Sequence, residues 1–347
     1  MAGRLRLGSG VVTSPARVRA VYRLFETAGA CIAGFGTQNS WTTQAAVIAA
    51  AEIADSLRVR PVPIGILATG HYPENPQLPP YAAHRRDAGR DLCVEGLEHM
   101  IWDVDRAVEA ADGKVLALTQ LDHAHPVLDR QVIAYSLRNR LFSCIMYDCS
   151  HLPLRENIRR TAAFVQRNKS RVLVQGIVDQ VYEGGAERPQ SAYTTPEDAA
   201  EYFRRVRPFL LVANLGTEHR VCIPGYRPRY RPSLARQITA ALGRRMLVLH
   251  GSSCLTRAQL HGLAGDGILQ VNVWTRLEKE GARALFRHVR ASERAMARRP
   301  ALSHFTLTGV RDAWMSAVVP LIKEYMISFG YDELVRYKTE LAGLRSR

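Results

Sequence analysis

The stretch VLALTQLDHAH, residues 115–125, runs a leucine- and valine-rich segment straight into an aspartate and two histidines. A short apolar run of this length with polar groups at its end is the pattern of a strand buried on both faces. Two further runs end the same way. FLLVAN at 209–214 leads through GTEH to His219, and MLVLH at 246–250 stops on His250. Neutral imidazole is a common zinc ligand at roughly 2.0–2.1 Å, and three protein ligands leave one coordination position open to substrate. His123, His219 and His250 at equivalent strand ends therefore predict one catalytic divalent ion, zinc in first place.

Working outward, five more apolar runs have strand length: ACIAGFG near 30–36, VPIGILA at 62–68, SCIMYD at 143–148, VLVQGIV at 172–178 and ILQVNV at 268–273. Helical spacing of apolar residues fills most of the gaps, over Ser40 to Leu57, Leu154 to Gln166 and Thr195 to Val206. The last opens with Thr-Pro-Glu-Asp, an N-cap followed by a proline and acidic residues suited to a first turn. Strand alternating with helix eight times predicts parallel strands closed into a (β/α)₈ barrel. The open doubly wound sheet is the competing architecture, but no GxGxxG follows the first strand. The expected organisation is one domain over 1–347, with an enlarged loop near 71–96 and a helical extension from about residue 311.

In such barrels the active site lies at the C-terminal ends of the strands. Asp122 and His123 follow the third strand, Asp148 ends the fourth, Asp179 the fifth, and His219 and His250 the sixth and seventh. Asn272 and Thr275 close the eighth. His125 and His151 have no such placement, and they read as structural residues or as supports behind the ligands.

Composition narrows the partners. The net charge is +15, and five lysines leave 42 of the 47 basic residues as arginine. These are spread along the chain, not gathered on one segment, so the charge favours anionic small molecules over nucleic acid. No run approaches the roughly 18 apolar residues of a membrane span, and MAGRLRLGSG has no secretory apolar core, so a cytoplasmic protein is expected. The six cysteines form no CxxC pair, which favours reduced thiols.

At these positions the sequence resembles the class II, metal-dependent fructose-bisphosphate and tagatose-bisphosphate aldolases. The resemblance runs from about residue 20 to 330. LDHAH (121–125), YDCSHLPLRENI (147–158), EGGAE (183–187), YTTPEDA (193–199), GTEH (216–219), LHGSS (249–253) and VNVWT (271–275) carry it. It implies that His123, His219 and His250 bind zinc and that Asp122 is the catalytic proton carrier. Counting back from Gly184 and Gly185, it places Asp179, with Asp148, at an alternative metal position, and Glu187 on a catalytic loop. It also implies that Asn272 supports a zinc-stabilised enediolate, that Gly251, Ser253 and Thr275 bind a phosphate, and that the chain forms a homodimer, with helices after Arg311 as one candidate interface. A Schiff-base aldolase is disfavoured, because Lys114 and Lys169 precede their strands and the other three lysines fall in helical segments.

Several residues depart from the family pattern. Arg220 stands where the family has glycine, Ile223 where it has a nearby lysine, Cys254 in place of a phosphate-loop glycine, and Ile177 in place of a glutamate. Trp274 replaces a small residue or aspartate beside Asn272. The expectation is a metal-dependent aldolase acting on a phosphorylated ketone donor and a non-glycolytic aldehyde, with Arg220 as an added anion-gripping cation and Trp274 setting specificity. An ordinary fructose- or tagatose-bisphosphate aldolase is one alternative. A catalytically silent partner subunit is the other, and retention of Asp122 with all three histidines speaks against it.

Overall fold

A computed structural model describes residues 7–72, 76–82, 91–185, 193–221, 225, 229–299, 301 and 306–345. Eight parallel strands close into a barrel in sequence order: β1 (Ile32–Gly36), β2 (Val62–Thr69), β3 (Val115–Ala124), β4 (Cys144–Tyr147), β5 (Leu173–Ile177), β6 (Leu210–Val212), β7 (Leu247–Leu249) and β8 (Ile268–Val273). The seam pairs Ile32 with Gln270 and Phe35 with Val273. Each expected strand is present, with β6 and β7 trimmed to three residues. The expected (β/α)₈ barrel is the fold.

Eleven α-helices are present among the described residues. They are α1 (Pro15–Ala28), α2 (Ser40–Leu57), α3 (Leu92–Ala110), α4 (Arg130–Asn139), α5 (Leu154–Asn168), α6 (Pro196–Val206), α7 (Pro232–Leu242), α8 (Arg257–Gly262), α9 (Thr275–Arg298), α10 (Leu307–Ser328) and α11 (Lys338–Gly343). Their starts follow local chemistry. Asn39 accepts hydrogen bonds from the Trp41 and Thr42 amides, completing a capping box that starts α2. Thr195 caps α6 by accepting from Asp198, so the helix begins one residue later, at Pro196. The C-terminal extension begins at Leu307, about a turn earlier than expected, and buries Trp314, Val318, Ile322 and Met326. It packs on α2 and α9. No helix among the described residues is long and apolar enough to cross a membrane.

One feature of the barrel interior bears on the site. Gln120, Gln175 and Gln270 point into the core with no exposed surface to speak of, and α1 sends the Tyr22 hydroxyl to meet them. Gln270 Nε2 donates to Gln120 Oε1 at 2.9 Å and Gln175 Nε2 donates to the same oxygen at 3.3 Å. Buried amides are costly unless paired, and this network, paired except at Gln175 Oε1, fixes side-chain directions in an otherwise apolar core.

Candidate active site

Successive residues of a strand point to opposite faces, so a regular β3 cannot deliver both Asp122 and His123 to the barrel mouth. The register of β3 against β4 shifts between Leu121 and Ala124, and His123 sits in the left-handed region at φ 46°. This irregularity is what lets neighbouring residues serve one site. His219 is set by a different device. Its amide donates to Tyr182 O at 2.8 Å and its carbonyl accepts from Gly184 at 2.7 Å, a bridge that ties the loop after β6 to the loop after β5. His250 is the residue after β7.

The three imidazoles meet edge to face. Ring centroids are 5.0 Å apart for His123 with His219 and with His250, and 5.4 Å for His219 with His250. Their ligand atoms lie within 4.8 Å of one another. The Nε2 atoms of His123 and His219 are buried with no hydrogen-bond partner. Unpartnered buried lone pairs are unfavourable unless something electropositive meets them, so the donor set fits a divalent ion.

Protonation states agree with that role. Burial, reinforced by repulsion from His123, lowers His219 to about 3. Burial with repulsion from His123 and His219 puts His250 well below its ordinary range. Both are neutral at physiological pH, as metal ligands must be. His123 differs: burial opposes its charge, but the Asp148 hydrogen bond and the Asp122 and Asp148 charges prevail and raise it.

Asp148 explains the orientation of His123. Its Oδ2 lies 2.8 Å from Nδ1, while its Oδ1 accepts from the Ser150 amide at 3.0 Å and hydroxyl at 2.7 Å. Against burial, which acts in the opposite direction, the His123 and Ser150 contacts hold Asp148 at about 2. An ionised carboxylate only accepts, so Nδ1 of His123 carries a proton toward Asp148 and Nε2 is the atom left to meet a metal, the carboxylate–histidine arrangement of metal sites. Asp148 thus serves as orienter in this arrangement. Asp179 is engaged elsewhere, accepting from Thr194 Oγ1 at 2.7 Å, and burial raises its pKa. Neither belongs to a metal-competent cluster among the described residues. Asp148 and Asp179 are turned to different partners, His123 and Thr194.

Asp122 faces the imidazoles, with Oδ1 4.0 Å from His250 Nε2. Burial raises its pKa, and Asp148 adds to the effect. Asn272 Nδ2 stands 3.4 Å from Asp122 Oδ2 and 3.3 Å from His250 Nε2. Its own Oδ1 accepts from Gln270 Nε2 at 2.7 Å. The same cavity is lined by Gly251, Ser253, Trp274 and Thr275. Gly251 has φ 68°, and a Cβ there would lie 2.5 Å from the Glu218 carbonyl oxygen. Ser253 Oγ and Trp274 Nε1 are buried without partners. Trp274 leans on Gly36, where a Cβ would come within 2.9 Å of the indole.

Arg220 is not the free anion grip expected from the sequence. Its Nε donates to Glu183 Oε2 at 2.7 Å, its second nitrogen donates to the other oxygen, and its guanidinium sits 5.1 Å from the Tyr72 ring centre. A bidentate Arg–carboxylate pair uses the fork that would have held a phosphate. Arg220 lines the cavity wall but spends its geometry on Glu183. Glu187 and Ile223 lie outside the described residues. His125 and His151 stack on each other at 4.9 Å, and His125 Nδ1 accepts from the Val127 and Leu128 amides, a structural role.

Tyr72, Glu183 and Gln270 were not singled out from the sequence. The Tyr72 ring lies 5.1 Å from that of His123 and its hydroxyl donates to Glu183 Oε1 at 3.0 Å. Glu183 opens the EGGAE motif, but nothing in the spacing marks it as a partner of Tyr72. Tyr72 sits in a proline-rich stretch with no periodicity to mark it.

Residues 16–331 match the family model described as fructose-bisphosphate aldolase class-II. The chain belongs to that family. Among solved structures, a fructose-bisphosphate aldolase from Campylobacter jejuni is 17% identical with a TM-score of 0.69, over 92% of this chain and 95% of that one. The YdjI aldolase from Escherichia coli K12 is 20% identical with a TM-score of 0.60, over 89% and 96%. At these identities the two establish the shared barrel. A comparison with curated proteins finds no match. Membership in the class II family supports aldolase chemistry and metal dependence, and the three-histidine cluster is a candidate metal site.

Proposed function

We propose that the protein is a metal-dependent aldolase that cleaves and forms a carbon–carbon bond on a phosphorylated ketone, with an aldehyde other than the glycolytic one. The observation that carries this reading is the pair of orphaned imidazole Nε2 atoms beside the buried carboxylate of Asp122. A divalent ion held by His123, His219 and His250, zinc in first place, would supply Lewis-acid polarisation of the substrate carbonyl. The remaining steps belong to side chains. Asp122 exchanges a proton with the aldehyde-derived hydroxyl, and burial brings its pKa toward the working range of an acid–base group. Asn272 holds Asp122 in place through Nδ2. Glu187, by its position in the EGGAE motif, moves the carbon-bound proton of the ketone.

The anion is received at Gly251, Ser253 and Thr275. Ser253 Oγ and Trp274 Nε1 are unpartnered donors on that cavity, and Thr275 opens α9, whose first-turn amides favour an anion. Trp274 occupies space that a longer sugar bisphosphate would need, which supports a different aldehyde. The ordinary fructose- or tagatose-bisphosphate reading remains the competitor, and family likeness also supports self-association. Retro-aldol assays across phosphorylated ketoses, coupled to detection of dihydroxyacetone phosphate, test the proposal. Chelator-sensitive turnover restored by Zn²⁺ is expected. No cleavage of any phosphorylated ketose by zinc-loaded protein would overturn it, and sedimentation tests the oligomer.

A further inference from the structure

A second cluster of metal-ligand atoms stands on the same rim, built by the residues that flank the β2–α3 connection. His71 follows β2 by two positions, and Asp91 and Cys93 form the N-cap and second residue of α3. His71 Nε2 lies 3.5 Å from Cys93 Sγ and 3.5 Å from Asp91 Oδ1, and the three ligand atoms all fall within 4.8 Å of one another. Zinc bonds of about 2.0 Å to nitrogen and oxygen and about 2.3 Å to sulfur imply tetrahedral edges of about 3.5 Å for N···S and about 3.3 Å for N···O. The observed N···S separation matches its edge, and the N···O separation of 3.5 Å is about 0.2 Å longer than its own.

The support around His71 repeats that around His123. The wholly buried Asp129 carboxylate takes His71 Nδ1 at 3.0 Å and the His71 amide at 2.7 Å, both on Oδ1, while its Oδ2 accepts from the His125 amide at 2.8 Å. With Nδ1 directed at Asp129, Nε2 faces Cys93 and Asp91. A carboxylate behind a histidine that points its free nitrogen at a thiol and a second carboxylate is the support metal-bound histidines receive. Cys93 is 1% exposed, whereas the His71 side chain is 37% exposed, so the cluster lies at the edge of the protein surface.

We propose that His71, Asp91 and Cys93 form a second divalent-cation site, distinct from the three-histidine centre and selective for zinc-class ions. One nitrogen, one sulfur and one oxygen donor suit a borderline-soft ion and disfavour magnesium or calcium, which take oxygen. The competing reading, a Cys–His–Asp nucleophile, fits less well. Asp91 takes the same imidazole nitrogen as the thiol, so that nitrogen is not aimed at the thiol alone. The role of the ion is positional. It clamps the exit of β2 to the first turn of α3, and the residue after His71 is Tyr72, which rests on His123 and bonds Glu183.

The test uses the full-length protein stripped with chelator and titrated with Co²⁺ alone. The three-histidine centre has no thiolate, so a near-ultraviolet thiolate-to-cobalt charge-transfer band reports only a cysteine site. Wild-type protein is expected to bind two equivalents and to show the band. Cys93→Ser should lose the band and one equivalent, while His250→Ala should keep the band and lose the other. Asp91→Asn, which preserves the helix cap, should weaken only the band-producing site and guards against a misfolded Cys93→Ser. Absence of the band in wild-type protein, which needs no variant, or its persistence in folded Cys93→Ser, would overturn the proposal. Failure of the aldolase reading would leave this result untouched, because the readout is metal binding.

Discussion

Gln270 donates through Nε2 to Oδ1 of Asn272 at 2.7 Å, and that bond decides which end of the Asn272 amide faces Asp122. Gln270 is held in turn by Gln120 and Tyr22. A polar layer in the barrel core thus sets the aim of a group at its mouth. Gln270→Met preserves volume but removes both the donor and the network, leaving Asn272 free to rotate. Turnover is expected to fall by up to about 10²-fold, the scale of a misplaced catalytic group, with metal content unchanged. Parallel loss of metal would show that the layer supports the barrel instead of aiming Asn272.

Metal dependence gives the next prediction. His250→Ala should strip or loosen the ion, because two histidines fall short of the ligand count of a catalytic zinc site. Activity should vanish with the ion, and added Zn²⁺ should not restore it at concentrations that restore chelated wild-type protein. Elemental analysis alongside turnover checks this. Full metal content and activity in the variant would remove His250 from the site.

Asp122→Asn separates proton transfer from binding. Asp122 lies 4.0 Å from His250 Nε2, close to the imidazoles yet outside their cluster. Metal content should survive, while turnover drops roughly 10²–10⁴-fold, the contribution of a positioned acid or base. Equal loss of both would instead make Asp122 a ligand.

Much of this was legible in the chain because burial on both strand faces leaves uninterrupted apolar runs, and strand ends then mark one face of a barrel. The placement of His123, His219 and His250 followed from that alone. What the sequence hid was pairing. Nothing in the spacing shows that Arg220 closes on Glu183, that Asp148 turns toward His123, or that Asp179 turns toward Thr194, because each depends on loop paths between different strands. Gln120, Gln175 and Gln270 were invisible for another reason. A glutamine inside an apolar run looks like a flaw in a strand until its partners on other strands are known.

Glu278 supplies a pH dependence. Burial raises its carboxyl to about 7, with only Gln38 opposing from 3.1 Å, and its Oε1 is buried without a partner. The folded state therefore keeps a proton that the unfolded chain releases near its ordinary value of about 4.3. Its stabilising contribution is complete below that value and is lost as pH rises through about 7. Glu278→Gln should flatten the fall in stability between about pH 5 and pH 8, read as urea midpoints at each pH. An unchanged slope would mean that the carboxyl ionises freely in the folded protein.

Trp274, the residue proposed to set specificity, presses against Gly36 and lines the cavity next to Ser253 and Thr275. A rigid indole there should exclude or reorient a long sugar bisphosphate, so wild-type protein is expected to cleave fructose 1,6-bisphosphate poorly. Trp274→Ala should raise activity on that substrate relative to shorter ketose phosphates. Arg220→Gly should act differently from the loss of a simple phosphate grip. Removing the guanidinium takes the bidentate partner from Glu183 and the cation from the Tyr72 face, so the expected effect falls on turnover as well as on substrate affinity. Steady-state constants for both variants on both substrate lengths decide the matter. Wild-type cleavage of fructose 1,6-bisphosphate at about 10⁴ M⁻¹s⁻¹ or above would make Trp274 a tolerated variation and restore the glycolytic assignment.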